Sequence, residues 1–120
     1  MSGEIPASVQ ERVARLQQLQ QTLSVLIAEK QRLQAELEEI NMAIEELNKS
    51  GDNAVVYKSV GPVMVQTSKE RLLSELNEKR ELDETRIKVL EKQEGRTRAQ
   101  MEGLQKELQA QLGELQKPPS

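Results

Sequence analysis

Apolar residues recur along the first half of the chain at alternating spacings of three and four. Val9, Leu16, Leu19, Leu23, Leu26, Leu33, Leu37, Ile40, Ile44 and Leu47 fall on one such series, with one place skipped at Arg12 and one taken by Lys30. A repeat carried through that many turns puts a single apolar stripe on a helix, the signature of a coiled-coil seam. The pattern predicts a helix over residues 8–49. Ser8 and Glu11 have capping-box spacing at its start, just after Pro6. Gly51, following Asn48, Lys49 and Ser50, stands where a left-handed residue closes a helix. Lys30 reads as a polar interruption that fixes register at some cost in stability.

The period changes at residues 54–67, where Val55, Val56, Val60, Val63 and Val65 crowd into a short stretch broken once at Gly61-Pro62. β-branched residues in two short runs around a turn signal predict a β-hairpin. Thr67 and Glu70 then repeat the capping-box spacing and predict a second helix over 68–116, which Pro118-Pro119 ends, leaving 117–120 as a disordered tail. The second seam is poorer. Leu73, Leu76, Ile87, Leu90, Met101, Leu104, Leu108 and Leu115 share it with Arg80, Asp83, Glu94, Thr97 and Gln111. Gly95, Gly103 and Gly113 lie off it, each costing about 1 kcal/mol relative to alanine in a helix. A hairpin turned at Gly61-Pro62 returns the helices antiparallel. Opposed seam residues then have numbers adding to about 120, which matches Leu47 with Leu73, Ile44 with Leu76, Leu33 with Ile87, Leu19 with Met101 and Leu16 with Leu104. The expected fold is mainly α: a long antiparallel two-helix coiled coil with one β-hairpin at the helix-helix junction, forming a single domain over residues 1–120.

Composition narrows the chemistry. Only 36% of the 120 residues are apolar and Tyr57 is the one aromatic, so a compact globular core is not expected. Lys and Arg number 17 against 20 Asp and Glu, interspersed, for a formal charge of −3. That balance argues against nucleic acid, which needs a concentrated basic stripe. With no cysteine or histidine, disulfides and thiolate or imidazole metal sites are excluded. No apolar run approaches the roughly 18 residues of a membrane span, and the start of the chain does not read as a signal peptide; the expectation is a cytoplasmic, soluble protein without cofactor. Adjacent carboxylates such as Glu38 and Glu39 read as solvated helix surface, and nothing supplies a catalytic constellation. Residues 16–28 carry no charge at all, and Val25 and Ile27 there fall off the seam.

A lone two-stranded hairpin is marginal in water, so the β-segment is expected to pair with other chains. At Val56-Tyr57-Lys58-Ser59-Val60-Gly61-Pro62-Val63-Met64-Val65, set between two such helices, the chain resembles a prefoldin subunit, in particular the β-type of archaea. The resemblance spans nearly the whole length. It implies hairpins that join into β-barrels in a hexamer of two α-type and four β-type chains. It also implies an ATP-independent chaperone whose coiled-coil ends hold non-native proteins and pass them to a group II chaperonin. On that reading Val55, Val56, Tyr57, Val60, Gly61, Pro62, Val63, Met64 and Val65 form the oligomer interface. Val9, Val13, Leu16, Leu19, Leu23, Met101, Leu104, Leu108, Leu112 and Leu115, roughly 60 Å away at 1.5 Å of rise per residue, hold clients. The partners implied are an α-type subunit, unfolded clients and the chaperonin, with no nucleic acid and no membrane. A structural coiled-coil tether or spacer with one defined partner is the alternative reading.

Overall fold

The computed structural model describes residues 5–116; the tail expected over 117–120 lies outside them. The element order is α1 (Ala7–Lys49), β1 (Val56–Val60), β2 (Val63–Thr67) and α2 (Lys69–Leu115). The chain divides into two compact units, residues 30–89 and residues 1–29 with 90–120. They are called below the hairpin unit and the terminal unit. Among the described residues no helix is long and apolar enough to cross a membrane.

In the hairpin unit Leu33, Ile40, Ile44 and Leu47 of α1 are buried together with Ile87 and Asp83 of α2. Their spacing is that of the seam, which is why the stripe rather than the whole helix surface is covered. Asn41 Oδ1 accepts from Arg80 Nη1 at 3.5 Å. In the terminal unit Val9, Leu19, Leu108 and Thr97 are buried. Arg12 pairs there with Glu107 at 3.0 Å, and Ser8 Oγ accepts from Gln111 Nε2 at 3.1 Å. These cross-helix pairs have residue numbers that add to about 120, so within each unit the helices run antiparallel with the predicted offset. Thr97, a polar residue on the seam, satisfies itself: its Oγ1 donates to the Gln93 carbonyl at 2.9 Å.

The helix ends differ from the capping boxes expected for them. Pro6 immediately precedes α1, its carbonyl accepting from the amides of Val9 at 3.0 Å and Gln10 at 3.1 Å. Ser8 is therefore inside the helix, with its hydroxyl turned to Gln111. At α2 the cap is Ser68, whose Oγ accepts from the Arg71 amide at 3.1 Å. Thr67 is the last residue of β2, and its Oγ1 is enclosed without a partner. Gly51 does not take the left-handed conformation; Gly61 is the one described residue with positive φ. The α1 terminus is closed instead by Ser50. Its hydroxyl donates to the Leu47 carbonyl at 2.7 Å, and its own carbonyl accepts from Lys69 Nζ at 2.7 Å. The lysine supplies positive charge where the helix dipole ends negative.

If Ser68 rather than Thr67 caps α2, Ser68→Ala lowers stability by about 1 kcal/mol, whereas Ser8→Ala changes it by no more than about 0.5 kcal/mol. Urea unfolding followed by circular dichroism checks both, and equal losses for the two variants would contradict the assignment.

Candidate functional site

The hairpin is antiparallel in the register Val56 with Thr67, Tyr57 with Gln66, Lys58 with Val65, Ser59 with Met64 and Val60 with Val63. Only Gly61 and Pro62 remain for the turn. Gly61 has φ +57° and proline holds its own φ negative, the signs of a type II′ hairpin turn. Alternation along the strands puts Val56, Lys58, Val60, Val63, Val65 and Thr67 on one face and Tyr57, Ser59, Met64 and Gln66 on the other. Val56, Lys58 and Thr67, at the helix end of the first face, are half-buried. Lys58 Nζ reaches both carboxylate oxygens of Glu75 on α2, at 3.0 and 3.2 Å, and so ties the strand to the helix.

The rest of the hairpin is open. Val55, Tyr57, Val60, Val63, Met64 and Val65 are all exposed, Met64 at 63% and Tyr57 at 53%, as are Gly61 and Pro62. Each strand pairs only with the other, so each leaves one edge of backbone donors and acceptors unpaired among the described residues. The expected assembly residues, Val56 apart, are thus exposed on the two faces of a hairpin whose outer edges are unpaired among the described residues.

The ten residues expected to hold clients all lie in the terminal unit, but they fall into three sets. Val9, Leu19 and Leu108 are buried between the helices; Leu16, Leu23, Met101 and Leu104 are half-buried; Val13, Leu112 and Leu115 are exposed at 39%, 44% and 57%. The seam residues other than Leu115, the last residue of α2, pack, and the off-seam residues Val13 and Leu112 turn outward. Ile5 adds to the exposed set at 57%. It stands before the helical repeat, where periodicity gives no signal.

A second surface of the terminal unit emerges only in three dimensions. Two open clefts of about 430 and 330 Å³ meet at Thr22 and Leu26. The first is lined along α1 by Arg15, Gln18, Gln21 and Val25, the second across the helices by Gln93, Arg96, Thr97 and Gln100. The uncharged stretch 16–28 supplies most of the α1 wall.

The hairpin unit holds one strained polar group. Asp83 is 2% exposed, within hydrogen-bonding reach of Glu36, and its Oδ2 is enclosed without a partner. Lys79 Nζ contacts Glu36 at 3.0 Å. Burial, and then the Glu36 carboxylate beside it, push the Asp83 carboxyl above the ordinary aspartate range. The hydrogen bond from Lys79 holds Glu36 below its own ordinary range. Two carboxylates already served by a lysine do not form a metal site, and no group of three candidate ligands occurs among the described residues.

Known proteins share this architecture. The sequence model of the family described as prefoldin subunit matches residues 10–115. The chain belongs to the prefoldin family. It is 43% identical over 119 residues to the prefoldin subunit beta of Methanothrix thermoacetophila, covering 99% of this chain and 98% of that one. It is 40% identical over 116 residues to the corresponding subunit of Pyrococcus furiosus, covering 97% and 96%. Among solved structures, the crystal structure of the prefoldin beta subunit from Thermococcus strain KS-1 superposes with a TM-score of 0.84 at 36% identity, covering 98% of this chain and 100% of that chain. The resemblance carried by residues 56–65 is therefore borne out, as is the two-helix, one-hairpin fold of a prefoldin beta subunit.

The polar cluster gives this prefoldin chain a pH signature. Asp83 binds its proton more tightly folded than unfolded, so its contribution to stability is fully present below the ordinary aspartate pKa of about 4 and is lost as pH rises through the raised value. Glu36 acts in the opposite sense, its contribution being present above the ordinary glutamate pKa of about 4.3 and lost as pH falls. Asp83→Asn removes the first effect. Its melting temperature is expected to exceed that of the parent at pH 7, with the gap closing as pH falls toward about 4. A gap that widens on acidification would show the Asp83 shift to have the other sign.

Proposed function

We propose that this chain is a subunit of an ATP-independent holding chaperone, assembled through its hairpin and gripping non-native proteins with the terminal unit. The observation that carries the reading is the division of apolar side chains within a prefoldin fold. Seam residues such as Leu33 and Leu19 are buried, while Val60, Val63, Met64 and Val65 on the hairpin and Val13, Leu112 and Leu115 in the terminal unit face solvent. Exposed apolar surface at residues that seam packing does not need is surface available to another protein.

The two exposed sets differ in kind. The hairpin offers unpaired β edges beside its valines, which suits pairing with strands of fixed partners. Closure into a barrel would remove those edges. The family resemblance supports an α-type partner, an arrangement of two α-type and four β-type chains, cytoplasmic location, and handover of clients to a group II chaperonin. The terminal unit offers scattered aliphatic side chains on helices without a deep pocket. Each such contact is weak, and several chains gripping one client raise retention through effective concentration. A tether with one defined partner is the second reading. On its side is the unbroken course of α2 through Gly95, Gly103 and Gly113 to Leu115.

Two variants of the complex co-assembled with an α-type subunit separate these roles. Val63→Asp puts a charge into the hairpin patch, and native mass measurement is expected to show loss of the six-chain species; an unchanged mass would place the assembly interface elsewhere. The triple replacement of Val13, Leu112 and Leu115 by serine is expected to leave the native mass unchanged and to weaken suppression of client aggregation several-fold. Undiminished suppression would overturn the assignment of the terminal unit. An unmodified complex that suppresses no aggregation would favour the tether.

A further inference from the structure

The two clefts that meet at Thr22 and Leu26 differ chemically from the rest of the chain. Acidic residues number 20 overall and the formal charge is −3, yet no carboxylate lines either cleft. Both contain an arginine, Arg15 in one and Arg96 in the other. Elsewhere in the terminal unit Arg12, Arg98 and Lys106 are each neutralised by a glutamate, at 3.0, 3.1 and 3.3 Å. Arg15 and Arg96 have no such partner among the described residues.

The amides between them are equally unspent. Gln18, Gln93 and Gln100 are exposed, and their side chains make no hydrogen bond within the described residues. A glutamine amide carries both donors and acceptors, the complement of the peptide groups that an unfolded chain leaves unpaired. The exposed hydroxyl of Thr22 and the half-buried side chain of Leu26 lie between the two rows. The face thus offers hydrogen-bonding groups for an extended backbone, an apolar strip beside them, and a guanidinium in each cleft.

We propose that this acid-free face binds extended segments of non-native polypeptide through their peptide groups, and that Arg15 and Arg96 make it select segments rich in carboxylates over segments rich in lysine or arginine. The inference rests on the holding-chaperone reading and adds a specificity to it. Charge complementarity decides the occupant. A basic segment would face two guanidiniums that no carboxylate among the described residues neutralises, whereas an acidic one would pair with both. Single-stranded nucleic acid is a poorer fit, because no aromatic side chain is present to stack a base and two cations make a short phosphate track.

The test uses the complex co-assembled with an α-type subunit and three fluorescein-labelled unstructured peptides of equal length and leucine content, bearing net negative, zero and net positive charge. Fluorescence anisotropy at low salt is expected to show the acidic peptide bound about fivefold more tightly than the basic one, in keeping with two exposed ion pairs. The preference is expected to shrink as salt rises. The double variant R15Q/R96Q is expected to bring the acidic-to-basic ratio close to one while the neutral peptide binds as before. Equal affinities in the unmodified complex, or a preference that survives in the double variant, would overturn the proposal while leaving the holding reading intact. Failure to bind any of the three peptides, together with no suppression of aggregation, would remove both. An oligonucleotide of matched charge that binds more tightly than the acidic peptide would also overturn it.

Discussion

A two-stranded β-sheet has two faces and two edges, and this chain covers only part of one face. Glu75 holds Lys58, and the adjoining Val56 and Thr67 are half-buried, but among the described residues both strands keep an unpaired edge, and Val60, Val63 and Val65 face water. Water solvates the edges adequately and the exposed valines poorly, so the hairpin gains by pairing with further strands. The surrounding structure follows from holding that hairpin at a defined place. Lys58 ties β1 to α2, while Lys69 reaches back to the Ser50 carbonyl at the end of α1. The turn closes with the fewest residues a hairpin uses, which is possible because Gly61 accepts a positive φ without a Cβ to clash.

The seam works under a different constraint. One apolar stripe per helix is enough to hold two helices together, and it leaves the remaining surface free for other contacts. The cost is that polar residues on the stripe must be satisfied locally or stay strained. Thr97 shows the first outcome, bonding to its own helix, and Asp83 the second, sharing Glu36 with Lys79 and leaving one oxygen unpartnered. A buried carboxyl of this kind is a poor source of stability.

Much of this fold was legible in the order of residues. The three-and-four spacing from Val9 to Leu47, the β-branched run broken at Gly61-Pro62, and the match of both seams at one offset all state local preferences that the structure keeps. The helix caps were less legible. Ser8 with Glu11 and Thr67 with Glu70 have the right spacing, but spacing does not say which hydroxyl faces a free amide. At α2 that hydroxyl belongs to Ser68, and at α1 the Pro6 backbone carbonyl accepts the first amides while Ser8 lies inside the helix. The exposed apolar surface of the terminal unit was legible in part, because periodicity marks Val13 and Leu112 as off the seam but says nothing about Ile5 outside the repeat.

Periodicity within a segment was enough to define the helices, the hairpin, its two-residue turn and the antiparallel pairing, because each depends on residues close in sequence or on one shared offset. The family likeness followed from the hairpin motif set between helices of that length. Which side chains meet across the pair was settled only by packing. Asp83 finds Glu36, Ser8 turns to Gln111, and the amides of Gln18 and Gln100 come to flank one acid-free face. These contacts join residues far apart in the chain, and their geometry depends on the rotation of one helix against another, a quantity that no local pattern of hydrophobic and polar residues encodes.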